Sequence, residues 1–139
     1  MAVIQKAVYD AIRTALSEKE PECGGVLGAV PGEAISKFYF DVSGKSTQNA
    51  YTPDYETINA VLEEWAAEGV QMVGMIHSHA DGSFPSCGDL FYCHQILLGN
   101  PAIKEFLLPI ATLNPFTIHM FRVLLDENLH ILKDDIEIL

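Results

Sequence analysis

Apolar and polar residues follow two different periods along this chain, and the longer period predicts helices. Apolar residues recur every three or four positions from Ile4 to Leu16, which predicts an amphipathic helix that Pro21 ends. The same period returns after Asp54, a residue type that favours helix N-caps, and it continues as far as Gly69. Two amphipathic helices are therefore expected in the first half of the chain.

Shorter apolar runs, rich in β-branched and aromatic residues and bounded by turn residues, indicate strands. Strands are predicted over residues 22–30, 34–42, 70–76, 106–113, 116–125 and 129–138. A third, shorter helix is expected over residues 90–98, and the polar stretch 43–53 is expected to be a loop. The resulting order, α-β-β-α-β-α-β-β-β, predicts an α/β fold in which helices flank a sheet.

Composition limits the size and the partners of this fold. The chain has 139 residues, of which 49% are hydrophobic and 19% charged, so we expect one globular domain over residues 1–139. Eight Lys and Arg residues against 19 Asp and Glu residues give a formal net charge of −11. Because nucleic acids and anionic membranes bind clustered basic residues, neither is an expected partner. The sequence gives no indication of oligomeric state.

The three cysteines indicate a reducing compartment. An odd number of cysteines does not form a closed disulfide framework, so a cytoplasmic location is expected. No segment has the unbroken apolar core of a signal peptide or a membrane span. A Cys/His zinc site or a thiol nucleophile is disfavoured, because Cys87 and Cys93 lack the C-x-x-C spacing and Cys93 falls on an apolar helix stripe. We expect Cys23, Cys87 and Cys93 to be small buried hydrophobic residues.

Residues 74–89 carry the candidate chemistry. His77 and His79 stand two apart at the end of an apolar strand, so their side chains point to the same face. Asp89 follows a loop that could return its carboxylate to the same point. Two histidines and one carboxylate leave an open position on a tetrahedral zinc ion, as in catalytic sites. Two alternatives stay open: strand-end histidines are often only polar residues, and Ser86 with Asp89 also forms a helix capping box.

The sequence His77-Ser78-His79, followed by Ser86-x-x-Asp89, resembles the JAMM motif of the MPN-domain (JAB) zinc metallopeptidases. Glu22, just before a glycine-rich strand, is similar to the upstream glutamate of that family. The resemblance implies a mixed central sheet flanked by helices, as in cytidine deaminases. It also implies that His77, His79 and Asp89 bind Zn²⁺, that Glu22 is the general base for a zinc-bound water, and that Ser86 stabilises the oxyanion.

Three features depart from the family pattern. Ala80 replaces the proline that commonly follows the second histidine, and the loop between His79 and Ser86 has six residues, one fewer than the commonest form. Glu20 competes with Glu22 for the role of base, and Glu22 is favoured because it adjoins the glycine-rich strand. Ser78 is expected to face the opposite side of the strand and to tighten the local backbone.

The resemblance implies a zinc-dependent metallopeptidase or isopeptidase. Its substrate would be an amide or isopeptide bond at the C-terminal tail of a ubiquitin-like or sulfur-carrier protein. A non-catalytic MPN scaffold for protein–protein interaction is one alternative, although members of that kind lose metal ligands and none is lost here. A small-molecule zinc hydrolase is the other, although the zinc deaminase pattern H-x-E…P-C-x-x-C is absent.

Overall fold

A computed structural model describes residues 1–46 and 51–139 of the chain, so part of the predicted loop 43–53 lies outside the described residues. The helices are α1 (Lys6–Ser17), α2 (Tyr55–Ala67) and α3 (Cys87–Gly99). The strands are β1 (Ala2–Ile4), β2 (Gly24–Ala29), β3 (Lys37–Phe40), β4 (Lys45–Ser46), β5 (Tyr51–Thr52), β6 (Gln71–Ser78), β7 (Glu105–Leu107), β8 (Ile110–Thr112), β9 (Thr117–Leu125), β10 (Leu129–Asp134) and β11 (Ile136–Ile138).

Seven strands form a mixed central sheet in the order β10-β9-β7-β6-β2-β3, with β8 paired to both β6 and β9. Strand β6 runs parallel to β7 and β8, whereas the other pairs of this sheet are antiparallel. Strand β1 pairs in parallel with β11, and β4 pairs with β5. The three helices flank the central sheet, which confirms the expected α/β class. The position of β6 inside the sheet is what places His77, and His79 just after the strand, away from solvent.

The helices form where the apolar periodicity places them. Helix α1 buries Val8, Ile12 and Leu16 against the core, while α3 buries Cys93 and Leu97. Helix α2 begins after Asp54, whose carboxylate accepts a hydrogen bond from the backbone nitrogen of Thr57, as expected for an N-cap. It is followed by Gly69, which has a left-handed φ of 79°.

Several predicted boundaries were wrong. Ile4 belongs to β1 rather than to α1, and α1 ends at Ser17, before Pro21 is reached. The predicted strand 106–113 is divided between β7 and β8, next to Pro109, which has no backbone N–H to donate. The predicted strand 129–138 is divided at Asp135, where the chain leaves β9 and joins β1. The short β4–β5 ladder lies in the stretch expected to be a loop.

Within the described parts of the chain, no helix is both long enough and apolar enough to cross a membrane.

Candidate metal centre

The backbone on both sides of β6 fixes the direction of the two histidines. His77 pairs with Gly24 of β2 on one side and with Ile110 of β8 on the other. Just beyond the end of β6, the backbone nitrogen of His79 donates a hydrogen bond of 2.9 Å to the carbonyl oxygen of Ala111 in β8. His77 and His79 are 6% and 7% exposed, so both imidazoles leave the strand into a buried site.

Three ligand atoms converge at the end of β6. The Nε2 atoms of His77 and His79 are 2.9 Å apart. One carboxylate oxygen of Asp89 lies 3.0 Å from the first of them, and the other lies 3.2 Å from the second. The structure therefore brings together the three residues that the sequence predicted as metal ligands.

The carboxylate of Asp89 is placed by the first turn of α3. Its Oδ2 atom accepts a hydrogen bond of 2.7 Å from the backbone nitrogen of Ser86. In return the Ser86 hydroxyl accepts a bond of 3.1 Å from the backbone nitrogen of Asp89. This is a complete capping box, so the structural alternative for Ser86 and Asp89 is confirmed. It does not compete with metal binding, because the same carboxylate also reaches both imidazoles.

The electrostatics of the cluster favour an ionised carboxylate. Burial opposes the charge on Asp89, but hydrogen bonds from His77 and His79 and from the Ser86 backbone hold its pKa well below the usual range. Burial likewise opposes protonation of His79, yet its bond to Asp89, the charges of Asp89 and Glu22 and a bond to the Gly82 backbone raise its pKa. Asp89 is thus an anionic group that faces two imidazole nitrogens.

The separations of these atoms fit a zinc ion. Ligands about 2.0–2.2 Å from a tetrahedral zinc lie about 3.3–3.5 Å from one another, close to the 2.9–3.2 Å found among His77, His79 and Asp89. Nitrogen and carboxylate oxygen are ligand types that zinc accepts, and three protein ligands leave a fourth position open.

Glu22 lies at the margin of this cluster, with its Oε1 atom 4.0 Å from Nε2 of His79. It is partly buried, with a side chain that is 16% exposed. Glu20 is exposed to solvent two residues earlier and is absent from the contacts of the described cluster. Of the two glutamates weighed from the sequence, Glu22 is the one that the structure brings to the histidines.

Comparison with known proteins agrees with this geometry. Residues 5–124, most of the chain, match the family described as prokaryotic homologs of the JAB domain. The chain belongs to the prokaryotic JAB family. No curated protein matches it significantly in sequence.

Among solved structures, this JAB domain is similar to the solution structure of protein DSY2949 from Desulfitobacterium hafniense. The TM-score is 0.73 at 17% sequence identity, and the match covers 99% of this chain and 92% of that one. At this level of identity the likeness concerns the fold. Hydrolase and scaffold roles are both open to a JAB domain, and JAB domains commonly bind zinc.

Behind the histidine strand of this JAB domain lies a contact that the motif did not specify. Ser78 is fully buried and its hydroxyl accepts a 3.2 Å hydrogen bond from the backbone nitrogen of Cys23. The backbone nitrogen of Ser78 donates to the Cys23 carbonyl at 2.8 Å. Cys23 follows Glu22 directly, so Ser78 ties β6, the strand that carries His77, to the residue beside Glu22. Ser78 thus bonds to Cys23 and faces away from the two imidazoles, as expected.

One wall of the site comes from the stretch expected to be only a loop. The ring of Tyr51 lies 6.3 Å from that of His77, measured between centroids. The Tyr51 hydroxyl donates a 2.7 Å hydrogen bond to Asp41, which is 3% exposed and also accepts a bond from the backbone nitrogen of Asp54. The sequence alone did not indicate that Asp41 would hold Tyr51, because a single aspartate after a strand is not a recognisable motif.

The cysteines divide into two classes. Cys23 and Cys93 are buried, as predicted, but Cys87 is exposed, so its assignment as a buried residue was wrong. The reason is that α3 begins at Cys87, three residues before the predicted start, which places Cys87 in the first turn. Burial raises the pKa of the Cys93 thiol to about 12, so this thiol is uncharged at neutral pH.

Proposed function

We propose that this JAB protein is a zinc-dependent peptidase that hydrolyses an amide or isopeptide bond. The observation that supports this most strongly is the convergence of Nε2 of His77, Nε2 of His79 and the Asp89 carboxylate, with Glu22 4.0 Å from His79. In this proposal His77, His79 and Asp89 hold the metal. A scaffold needs no such arrangement of ligands and acid.

Bound zinc would supply a Lewis acid for the amide carbonyl and would lower the pKa of water at its open position. Glu22 would accept a proton from the attacking water and later deliver it to the leaving amine. Its carboxylate adjoins the histidines while remaining outside their direct contacts, which suits a group that must exchange a proton rather than bind metal.

Ser86 would stabilise the oxyanion of the tetrahedral intermediate. In the capping box the Ser86 oxygen acts as an acceptor for the backbone nitrogen of Asp89, so the hydroxyl hydrogen is not used by that bond. The hydroxyl is exposed at the N-terminus of α3, where the helix dipole also favours negative charge. The capping role and the catalytic role are therefore compatible.

For the substrate we propose the C-terminal tail of a ubiquitin-like or sulfur-carrier protein, added as an extended strand beside the site. The net charge of −11 would favour encounter with a partner that presents a basic surface. We place the reaction in the cytoplasm, in accord with the unpaired cysteines.

The test measures zinc content and cleavage of a ubiquitin-like fusion protein. We expect about one zinc per chain in the wild type, and loss of both zinc and cleavage in His77→Ala. Glu22→Gln should retain zinc but cleave at least about a hundredfold more slowly, whereas Glu20→Gln should behave as the wild type. Equal cleavage by wild type and Glu22→Gln would overturn the mechanism, and zinc retention by His77→Ala would overturn the metal site.

A further inference from the structure

Asp41 is a buried acidic residue that the proposed chemistry does not use. It follows β3 directly and is 3% exposed. One carboxylate oxygen, Oδ2, accepts hydrogen bonds from the Tyr51 hydroxyl at 2.7 Å and from the backbone nitrogen of Asp54 at 2.9 Å. The other oxygen, Oδ1, is buried and has no hydrogen-bond partner among the described residues. Burial of a carboxylate with an unpaired oxygen costs free energy of folding, and proteins accept such costs mainly at functional sites.

The backbone places Asp41 in the same row of the central sheet as His77. The backbone nitrogen of Asp41 donates a 2.9 Å hydrogen bond to the carbonyl oxygen of Gly24. On its other side, Gly24 pairs with His77. Residues that pair across neighbouring strands project from the same face of the sheet. Asp41 and His77 therefore face the same side, about 9–10 Å apart across two strand spacings, with a glycine between them.

Tyr51 connects these two side chains. Its hydroxyl is bonded to Asp41, while its ring centroid lies 6.3 Å from that of His77, with 33° between the two planes. This separation is within the range at which aromatic rings pack against one another. Burial and the bond to Asp41 raise the pKa of Tyr51 well above its usual range, so the hydroxyl remains a hydrogen-bond donor. Tyr51 is thus fixed at its hydroxyl and presents its ring to His77.

Gly44 packs closely against the bond between Asp41 and Tyr51. A Cβ atom at Gly44 would overlap both with Oδ2 of Asp41 and with a ring carbon of Tyr51. The hydrogen bond therefore lies in a tightly packed place. Such packing leaves the Tyr51 ring little freedom to move away from His77.

We propose that Asp41 is a positioning residue of the metal centre, which holds Tyr51 against His77 and thereby fixes the direction of this imidazole. The proposal rests on the peptidase function proposed above, in which His77 binds zinc. Asp41 acts through Tyr51, since its own described hydrogen bonds go to Tyr51, Asp54 and Gly24. Groups that orient a metal-binding histidine tune the affinity for the metal without binding it.

Zinc affinity, measured by competition with a chelator well below the melting temperature, tests the proposal. Asp41→Ala should weaken zinc binding about tenfold. Asp41→Asn keeps an acceptor oxygen for Tyr51 and should stay within about threefold of the wild type. Asp134→Ala is the matched control, because it also removes a hydrogen-bonded carboxylate, but on β10. It should lower the melting temperature and leave zinc affinity unchanged. Equal zinc affinity in the wild type and Asp41→Ala would overturn the proposal, as would an equal loss in Asp134→Ala.

A double-mutant cycle shows whether Asp41 acts through Tyr51. Tyr51→Leu removes the ring, so Asp41→Ala in that background should change zinc affinity by less than about twofold. A further loss of about tenfold there would mean that Asp41 acts without Tyr51, and would overturn the proposal. If Asp41→Ala does not fold, Tyr51→Phe breaks the same bond at a smaller cost in stability and takes its place, with zinc binding again expected to weaken.

The imidazole of His77 provides a readout that needs neither zinc nor catalysis. In the zinc-free protein at fixed pH, the ring current of Tyr51 displaces the NMR resonances of the carbon-bound ring protons of His77. Tyr51→Leu gives their position without that ring. Asp41→Ala should move them towards the Tyr51→Leu position, while those of His119, which is bonded to Thr112, stay unchanged. Resonances of His77 that do not move in Asp41→Ala would overturn the proposal.

The outcomes separate this proposal from the one on which it rests. Movement of the His77 resonances, in a protein whose wild type neither binds zinc nor cleaves the fusion, would refute the peptidase function but support the hold of Asp41 on His77. Zinc binding and cleavage that are the same in the wild type and Asp41→Ala would refute the role of Asp41 alone.

Discussion

Gly24 lies directly opposite His77 across the β2–β6 pair, and the absence of a side chain at Gly24 is a condition for their approach. A Cβ atom at Gly24 would be 2.2 Å from the carbonyl oxygen of Ile76 and 2.7 Å from the Cβ of His77. Both contacts are with β6, the strand that carries His77. The glycine at position 24 is thus explained by close packing against the strand that carries His77.

Gly24→Ala should therefore damage stability and metal binding together. The added methyl group would push β6 away from β2, at a cost of about 1–3 kcal/mol, and would displace His77. Thermal unfolding and zinc titration measure the two effects. Gly99→Ala is the matched control, because a Cβ at Gly99 meets nothing within 4 Å. If Gly24→Ala binds zinc as the wild type does, the close approach has no importance for the site.

Ser78→Ala should reduce activity more than zinc affinity. The variant removes the acceptor for the Cys23 backbone nitrogen in a fully buried position, which costs about 1–3 kcal/mol and loosens the residue next to Glu22. The ligands themselves are unchanged. Zinc affinity and the cleavage rate should be measured on the same preparation, with Ser17→Ala, on an exposed residue of α1, as control. A parallel fall in both quantities would mean that Ser78 acts on the ligands instead.

Asp41→Ala should be more destabilising than Tyr51→Phe. Asp41 accepts bonds from the Tyr51 hydroxyl and the Asp54 backbone nitrogen, so its removal leaves two donors unpaired, whereas Tyr51→Phe removes a single bond. We expect about 2–4 kcal/mol for the first and about 1 kcal/mol for the second. Urea unfolding measures both. Equal losses would show that the bond to Asp54 is unimportant.

The ion pair between Asp134 and Arg122 predicts a pH-dependent contribution to stability. Burial opposes ionisation of Asp134, but hydrogen bonds from Arg122, from the Met1 amino group and from the Asp135 backbone hold its pKa below the usual range. A lowered folded-state pKa gives stability that is present above the unfolded-state pKa of about 3.9. That stability is lost as the pH falls through the folded-state value.

Asp134→Asn should therefore be less stable than the wild type at pH 7, and the difference should disappear in strong acid. Melting temperatures of both proteins between neutral pH and the acid limit measure it. Asp135→Asn, on the exposed neighbouring residue, should show a smaller difference at pH 7. A difference for Asp134→Asn that does not depend on pH would contradict the assignment.

The sequence was sufficient for the elements that depend on local patterns. The two-residue period of a strand placed His77 and His79 on one face, and the residue type of Asp54 marked the start of α2 correctly. Because the helix stripe was recognised only from Leu90, the start of α3 was placed too late and Cys87 was assigned to the interior.

Features that depend on distant partners were not predictable in this way. The pairing of β1 with β11 joins the two ends of the chain, and a short run such as Ala2–Ile4 has no periodicity of its own. The bond between Asp41 and Tyr51 depends on how the segment after β3 folds back towards His77. Local propensity does not describe such contacts, because they are determined by tertiary packing.

The capping box has a thermodynamic consequence. Since Asp89 both completes the first turn of α3 and faces the two histidines, unwinding of that turn would withdraw a ligand. In the proposed zinc site, formation of this helix turn and metal affinity are therefore linked, and each would change the other by the same free energy. Amide hydrogen exchange in the first turn of α3 would slow as zinc concentration rises, which makes this helix end a reporter of metal loading.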